Sequence, residues 1–428
     1  MKGSRLDCLA GGGIVDRRSF LLAGASFLAA SSLGPAKAAA AGGDSRIGTG
    51  FPAWMRTPGR PDVGYGQPVS HESHVQKKAQ AIVPETTGFT LWHTPLESQR
   101  GAITPNGLHF GVHHNGIPDI DPAMHELVIH GLVERPLIFS VEKLLRYPMV
   151  SRILFLECSG NTAANALSPF ARDESCQDLY GQVSGSEWVG VPLRLLLEEA
   201  GLGASAKWAI AEGADGGSHA RSIPVSKLLD DGMLAFYQNG ERLRGAQGYP
   251  MRLLLPGWEG NANVKWLHRL ELTDTPAYTK DESGLYTEFL ANGDIARFSF
   301  LMDVKSVITH PSGRQMLHEK GFYEIAGLAW SGHGKVSQVE VSADEGRTWA
   351  LAELQGPVLD KALTRFSIPW RWDGKPTVLL SRATDERGVR QPTRTQWKER
   401  YASHSFNHYN AVQPWRIGSD GGVENTYA

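Results

Sequence analysis

A cysteine at the end of an apolar run is the first place in this sequence where chemistry could be done. Arg152-Ile153-Leu154-Phe155-Leu156 leads into Glu157-Cys158-Ser159-Gly160-Asn161, so Cys158 stands where a buried strand stops, followed by a glycine that lets backbone approach something bulky. A thiolate there could bind a soft metal or attack an electrophile. No Ser/Cys-His-Asp signature accompanies it, which leaves nucleophilic catalysis without support. The chain has three cysteines, Cys8, Cys158 and Cys176. That is too few for a disulfide framework, and none falls in a Cys-x-x-Cys-His haem site or a zinc pair. A Cys158–Cys176 disulfide is the alternative to a free thiolate. His109, His113 and His114 could suggest zinc, but no carboxylate or cysteine stands at ligand spacing, so zinc ranks below contact with a larger group. Arg252 and Lys265, taken singly, read as ordinary charges at strand ends.

The elements that would position these residues are mixed. His125 to Gly131 has strand character, and Ser140 opens a capped helix through Leu145. Pro192 to Ala200 followed by Gly201 reads as a helix with proline near its start and glycine after its end. Trp208 to Ala211 and Met251 to Leu255 read as strands, and Asn239-Gly240 as a hairpin turn. After about Asp294 the helical periods stop. Short alternating runs at Val304–Ile308, Tyr323–Trp330, Val336–Ser342 and Thr377–Ser381 then predict a β-sandwich. The expected fold class is α+β, with a mixed α/β domain over 91–285 followed by an immunoglobulin-like sandwich over 295–428. Residues 41–90, rich in Gly, Pro and polar groups, read as an extended arm.

A length of 428 residues suits two or three domains at roughly 100 to 200 residues each. With 43 Lys and Arg against 45 Asp and Glu, no net field draws nucleic acid or an anionic membrane. Hydrophobic residues at 41% and charged residues at 21% fit an ordered globular chain. Residues 1–40 resemble a twin-arginine export signal: Asp16-Arg17-Arg18-Ser19-Phe20-Leu21-Leu22, an apolar stretch to about Leu33, then Ala38-Ala39-Ala40. The stretch is shorter than the ~20 residues of a spanning helix. That route carries folded proteins, so a cofactor and a periplasmic address are expected, and Cys8 would leave with the leader.

Taken together, four segments resemble the sulfite oxidase family of molybdenum enzymes, from about Leu91 to the C-terminus. The resemblance implies that Cys158, in a Cys-x-Gly-Asn context, supplies the protein thiolate to molybdenum held by one molybdopterin. Phe110-Gly111-Val112-His113-His114 occupies the place of a Phe-x-Arg-Asn-His segment, with Pro118 at the family's spacing. Tyr249-Pro250-Met251-Arg252 matches the segment whose arginine meets the cofactor phosphate, and Gln247 stands where the family often has histidine. Asn263-Val264-Lys265-Trp266-Leu267 matches its His-Val-Lys-Trp-Leu block. Asp215, His219 and Ser222 are implied as further cofactor contacts, Tyr286 as the active-site tyrosine, and Arg400 in Trp397-Lys398-Glu399-Arg400 as a substrate-side cation.

The pattern breaks where sulfite oxidases clamp their oxyanion. Val112 and Ala163 occupy arginine positions, which suits sulfur attached to something larger. With the leader, His113-His114-Asn115-Gly116 and Ser381 to Glu386, the sequence is similar to the sulfane dehydrogenase branch of the Sox thiosulfate-oxidising system. That branch implies carrier-bound sulfane sulfur as substrate, water as oxygen source, a separate c-type cytochrome as acceptor, no haem on this chain, and a homodimer through the C-terminal domain. Alternatives are a dehydrogenase of free sulfite, a periplasmic molybdopterin methionine-sulfoxide reductase, and a cofactor-free exported sandwich that binds a ligand.

Overall fold

The computed structural model describes residues 10–14, 68–83 and 88–427. The twin-arginine pair, the apolar stretch after it and Cys8 lie outside the described residues.

Two five-stranded sheets build the first half. In one, Val150–Glu157 pairs antiparallel with Val183–Pro192, and the order continues through Met233–Gln238 to Glu241–Arg242, with Arg252–Leu254 also pairing Met233–Gln238. The other runs Leu137–Ser140, Glu126–Gly131, Leu267–Thr273, Trp208–Gly213, Ala220–Pro224, and only the Leu267–Thr273 to Glu126–Gly131 pairing is parallel. Leu127, Ile129, Leu196, Leu197, Phe236, Leu253 and Leu270 share the core between them.

Local chemistry sets the joints. Ser140 accepts the backbone N–H of Lys143 and caps the short helix Val141–Leu144. The helix Leu193–Ala200 ends at Gly201, at φ +70°. Asn239 and Gly240 both take positive φ, the type I′ geometry that reverses a two-residue hairpin without splaying its strands.

The second half is a sandwich. One sheet has the order Lys305–His310, Gly321–Trp330, Thr364–Trp372, Glu353–Gln355. The facing sheet has Ala350–Leu351, Val336–Ser342, Thr377–Asp385, Pro414–Ile417, Val423–Asn425. Trp330, Trp370 and Trp415 are fully buried in its core, which also takes in Phe155, Cys176, Tyr180 and Val183 from the first half. The two halves therefore share one apolar core.

Two features depart from the sequence reading. Lys78–Val83, within the stretch read as an arm, pairs with Phe89–His93, which pairs in turn with Gly111–His113. Beyond Asp294 a helix does form, Arg394–Arg400, because Thr393 and Gln396 close a capping box that short alternating runs do not reveal.

Candidate functional site

The strand Val150–Glu157 delivers Cys158 to the floor of a cavity of about 730 Å³, counted with the part that opens to solvent. Its end is pinned by Glu157, fully buried, which accepts from Lys305 Nζ at 2.8 Å, Trp330 Nε1 at 2.7 Å and Asn161 Nδ2 at 2.9 Å. A sandwich lysine and tryptophan thus hold the strand end that carries the thiol. Cys158 and Cys176 are both free, and Cys176 is buried in the shared core rather than bridged to Cys158. Burial pushes the Cys158 thiol up to about 11, with the Glu259 and Glu157 carboxylates adding to the shift. A bound metal cation would reverse that balance and take the thiolate.

Arg252 and Lys265 face each other across a backbone bridge in the wall. Arg252 donates to the carbonyls of Gln247 at 3.2 Å and Asn263 at 2.8 Å, and lies 5.2 Å over the Trp188 ring; its Nε has no partner. Lys265 Nζ donates to the Val112 carbonyl at 2.8 Å and sits 4.5 Å over Trp266. No described carboxylate pairs with either. Desolvation lowers Arg252 to about 9 and Lys265 well below the usual lysine value. Gly248, at φ +105°, allows this approach, since a Cβ there would stand 3.1 Å from the Cβ atoms of both.

The remaining wall is held by main-chain contacts. Gln247 donates to the Phe110 carbonyl at 3.0 Å, and Asn263 accepts the Leu255 N–H at 2.6 Å and donates to the Glu259 carbonyl at 2.8 Å. His113 contacts the Ala246 carbonyl and Thr90 Oγ1, each at 3.0 Å; burial and Lys265 drive it down to about 3, so its ring is neutral. His114 stacks on Phe89 and meets His219 edge to face. His219 contacts the Asn261 carbonyl at 2.9 Å, and its turn is closed by Asp215, which accepts the His219 N–H at 2.9 Å. Tyr286 sits above Arg221, 4.8 Å from ring to guanidinium, and burial with the nearby Cys158 keeps its phenol protonated. His114, His219 and Asp281 place ligand atoms within 4.8 Å of one another, a grouping different from the His109, His113, His114 run.

Cys158, Tyr286, Phe110, Gly111, Val112, His113, His114, Asp215, His219, Gln247, Arg252, Asn263, Val264 and Lys265 all line this one cavity. Two expected residues do not. Ser222 is turned away, its hydroxyl donating to the Ala277 carbonyl and accepting the Ala277 N–H, both at 2.9 Å. Arg400 is 65% exposed at the end of its helix and reaches Asp303 at 3.8 Å, because Trp397 turns inward onto Tyr401 and Tyr409 and leaves the charged residues to a separate pocket. Ala163 begins a short helix outside the cavity lining, whereas Val112 lines it. Sequence reasoning missed Ala246, Gly260 and Asn261, and quoted Trp266 in its block without a role; all four are in the lining. Adjacency to Gln247, Asn263 and Lys265 was their available signal.

Residues 114–280 match the model of the oxidoreductase molybdopterin binding domain, and 297–414 that of the Mo-co oxidoreductase dimerisation domain. The sulfane dehydrogenase SoxCD from Paracoccus pantotrophus aligns with a TM-score of 0.85 and 40% identity, over 90% of this chain and 99% of that one. Mouse mitochondrial sulfite oxidase is 31% identical over 65% of this chain and 54% of its own. The chain belongs to the sulfite oxidase family. The NADH nitrate reductase of tomato is 30% identical over 69% of this chain and 37% of its own. This chain spans about half the length of the sulfite oxidase. The family's cofactor is molybdenum with molybdopterin, and this cavity fits it. A lone thiol suits a soft metal, and two cations without carboxylate partners suit a phosphate. Orphaned polar atoms on Arg252, His109 and Asn261 await partners there.

Proposed function

We propose that this chain is the molybdenum-bearing subunit of a sulfane dehydrogenase. Its substrate is sulfane sulfur on a cysteine of a carrier protein, and it works in the periplasm after export by the twin-arginine leader. The observation that carries this reading is the missing oxyanion clamp. Val112 lines the cavity where sulfite-oxidising relatives place an arginine, and Arg400 is engaged with Asp303 in another pocket. The cations that remain in the lining, Arg252 and Lys265, are tied to main-chain carbonyls and suit the cofactor's phosphate. A lining without that clamp suits sulfur attached to a peptide arm.

The cofactor, when bound, supplies two-electron redox chemistry with oxygen drawn from water. Cys158 yields its proton and holds the metal. Tyr286 keeps its phenolic proton and would offer a hydrogen bond into the cavity beside the bound cofactor. His113, neutral, buttresses the strand beneath. Electrons leave to a c-type cytochrome subunit, and the sandwich joins two copies. The 31% identity to sulfite oxidase favours a second reading, a dehydrogenase of free sulfite.

Steady-state kinetics with both substrates and a c-type cytochrome separate them. The expected result is a kcat/KM for the sulfane-loaded carrier at least about tenfold above that for sulfite, with Val112→Arg narrowing the gap, as one charge-assisted contact is worth about one to two powers of ten. Efficient sulfite oxidation by the unmodified enzyme, with no gain in Val112→Arg, supports the second reading instead.

A further inference from the structure

Residues 10–14 end three residues short of Arg17, the first of the twin arginines, yet they lie on the sandwich at the other end of the chain. Ile14 is fully buried and belongs to the sandwich core. Its backbone pairs antiparallel with Trp370. The strand Thr364–Trp372 is covered along one edge by Gly321–Trp330, whereas on its other edge Glu353–Gln355 reaches only Arg365 to Ser367. Beyond Ser367 that second edge is open among the described strands, and Ile14 takes it.

Three glycines make the approach possible. The Gly11 N–H donates to Thr348 Oγ1 at 2.6 Å, and Trp370 Nε1 donates to the Gly12 carbonyl at 2.7 Å. Gly12 and Gly13 take φ +70° and +93°. A Cβ on Gly11 would run into the Asp344 carboxylate, one on Gly12 into the Ala343 carbonyl and one on Gly13 into the Arg371 carbonyl. Gly-Gly-Gly-Ile is therefore fitted to this groove: bare backbone lies on the sandwich, and the side chain that follows it is the anchor.

On the reading of residues 1–40 as an export leader, from which this inference starts, the mature enzyme does not keep this segment. A fitted contact in a part that is cut away cannot serve the mature fold, so its use falls before cleavage. We propose that the sandwich carries a docking groove for the leader, and that residues 10–14 are a clasp which ties the leader back onto the folded protein and masks the twin arginine until it opens. Ile14 and Arg17 are separated by about 10 Å of chain at full extension. A closed clasp thus keeps the arginines beside the sandwich, where a receptor that must enclose both meets the folded body. The groove exists only once the sandwich has folded, because Thr348 and Trp370 reach it from separate segments.

Two measurements test the clasp. The first adds a fluorescent peptide of residues 9–16 to holoenzyme freed of its leader. It should bind saturably and at least about tenfold tighter than the same peptide carrying Ile14→Asp, since burying an isoleucine is worth about one to two powers of ten. Precursor holoenzyme, its groove already filled, should bind it at least about tenfold more weakly. Equal binding of the two peptides, or of the two proteins, overturns the proposal. The second follows trypsin cleavage after Arg18 in precursor holoenzyme, where the rate tracks the open population. Ile14→Asp should raise it by about tenfold, and Trp370→Phe, which removes the donor to Gly12 from the sandwich side, by about threefold. A rate that Ile14→Asp leaves unchanged overturns the proposal, and so does an equal rise in the isolated leader peptide, which has no sandwich to leave. If cells do not shorten the precursor, the leader reading fails separately, and the trypsin rates still judge the clasp.

Discussion

Two groups of buried cations in this molecule, one joining its halves and one in its cavity, are built on opposite principles. Arg221 is fully buried and saturated, with Glu282 at 2.7 Å, Glu259 at 2.9 Å and His408 on the far oxygen of Glu259. Lys305 is likewise matched by Glu157. Arg252 and Lys265 are sunk in the cavity with main-chain carbonyls and aromatic faces as their partners, and burial works against their charge. A buried charge that the fold pairs with a carboxylate is structural, and so are Arg365 and Arg394, which sit away from the cavity on main-chain carbonyls; a cation held that way in the wall of a cavity is placed for a ligand that brings the counter-charge. The contrast separates the network joining the two halves from the site that binds the cofactor.

The largest effect should come at the thiol. Cys158→Ser should lower turnover by about a thousandfold or more, on the order of 4 kcal/mol of barrier, whereas Cys176→Ser, in the shared core, should stay active once folded. Equal activity of the two variants would remove the thiolate from the site. Next comes the paired group. Arg221→Met takes the cation from Glu282 and leaves Glu259 with His408 alone, and should destabilise the chain by about 3–5 kcal/mol, read by chemical denaturation. A loss under about 1 kcal/mol would make that network ornamental.

The pH dependence of stability should follow from the same network. His408 is raised from 6.5 to about 9, so its contribution is complete below its unfolded value and lost as pH rises through about 9. The size is on the order of 3 kcal/mol, and His408→Gln should flatten that limb between pH 6.5 and 9. The smallest effect has the opposite sign. In cofactor-free protein Lys265→Met should be neutral or stabilising by about 1–2 kcal/mol, since it removes a buried charge that no carboxylate pairs directly. Strong destabilisation would mean that Lys265 is structural after all.

What the sequence disclosed follows the range of the interactions involved. Cys158 was legible because the strand that carries it is continuous with it in sequence, and Arg252 and Lys265 because each sits in a short, distinctive block. The alternating runs after Asp294 announced the sandwich through a local period. Arg400 misled because Trp-x-x-Arg fixes spacing along a helix but not which way the helix turns, and Ser222 because a hydroxyl near a site is as easily satisfied by backbone. The charge network was invisible: Arg221 and Glu259 are 38 residues apart, and Glu259 and His408 149. No local pattern ties such partners, and only the docking of the two halves brings them together.

The most direct measurement is the molybdenum and pterin content of purified holoenzyme carrying Arg252→Met and Lys265→Met together, beside unmodified enzyme. Each lost charge-assisted contact should weaken retention by about one to two powers of ten. The double variant should therefore remain folded, with undiminished unfolding stability in its cofactor-free form, yet purify with little molybdenum while the unmodified enzyme holds a full complement. A double variant that retains the full complement of both metal and pterin would contradict the assignment of these unpaired cations to the cofactor.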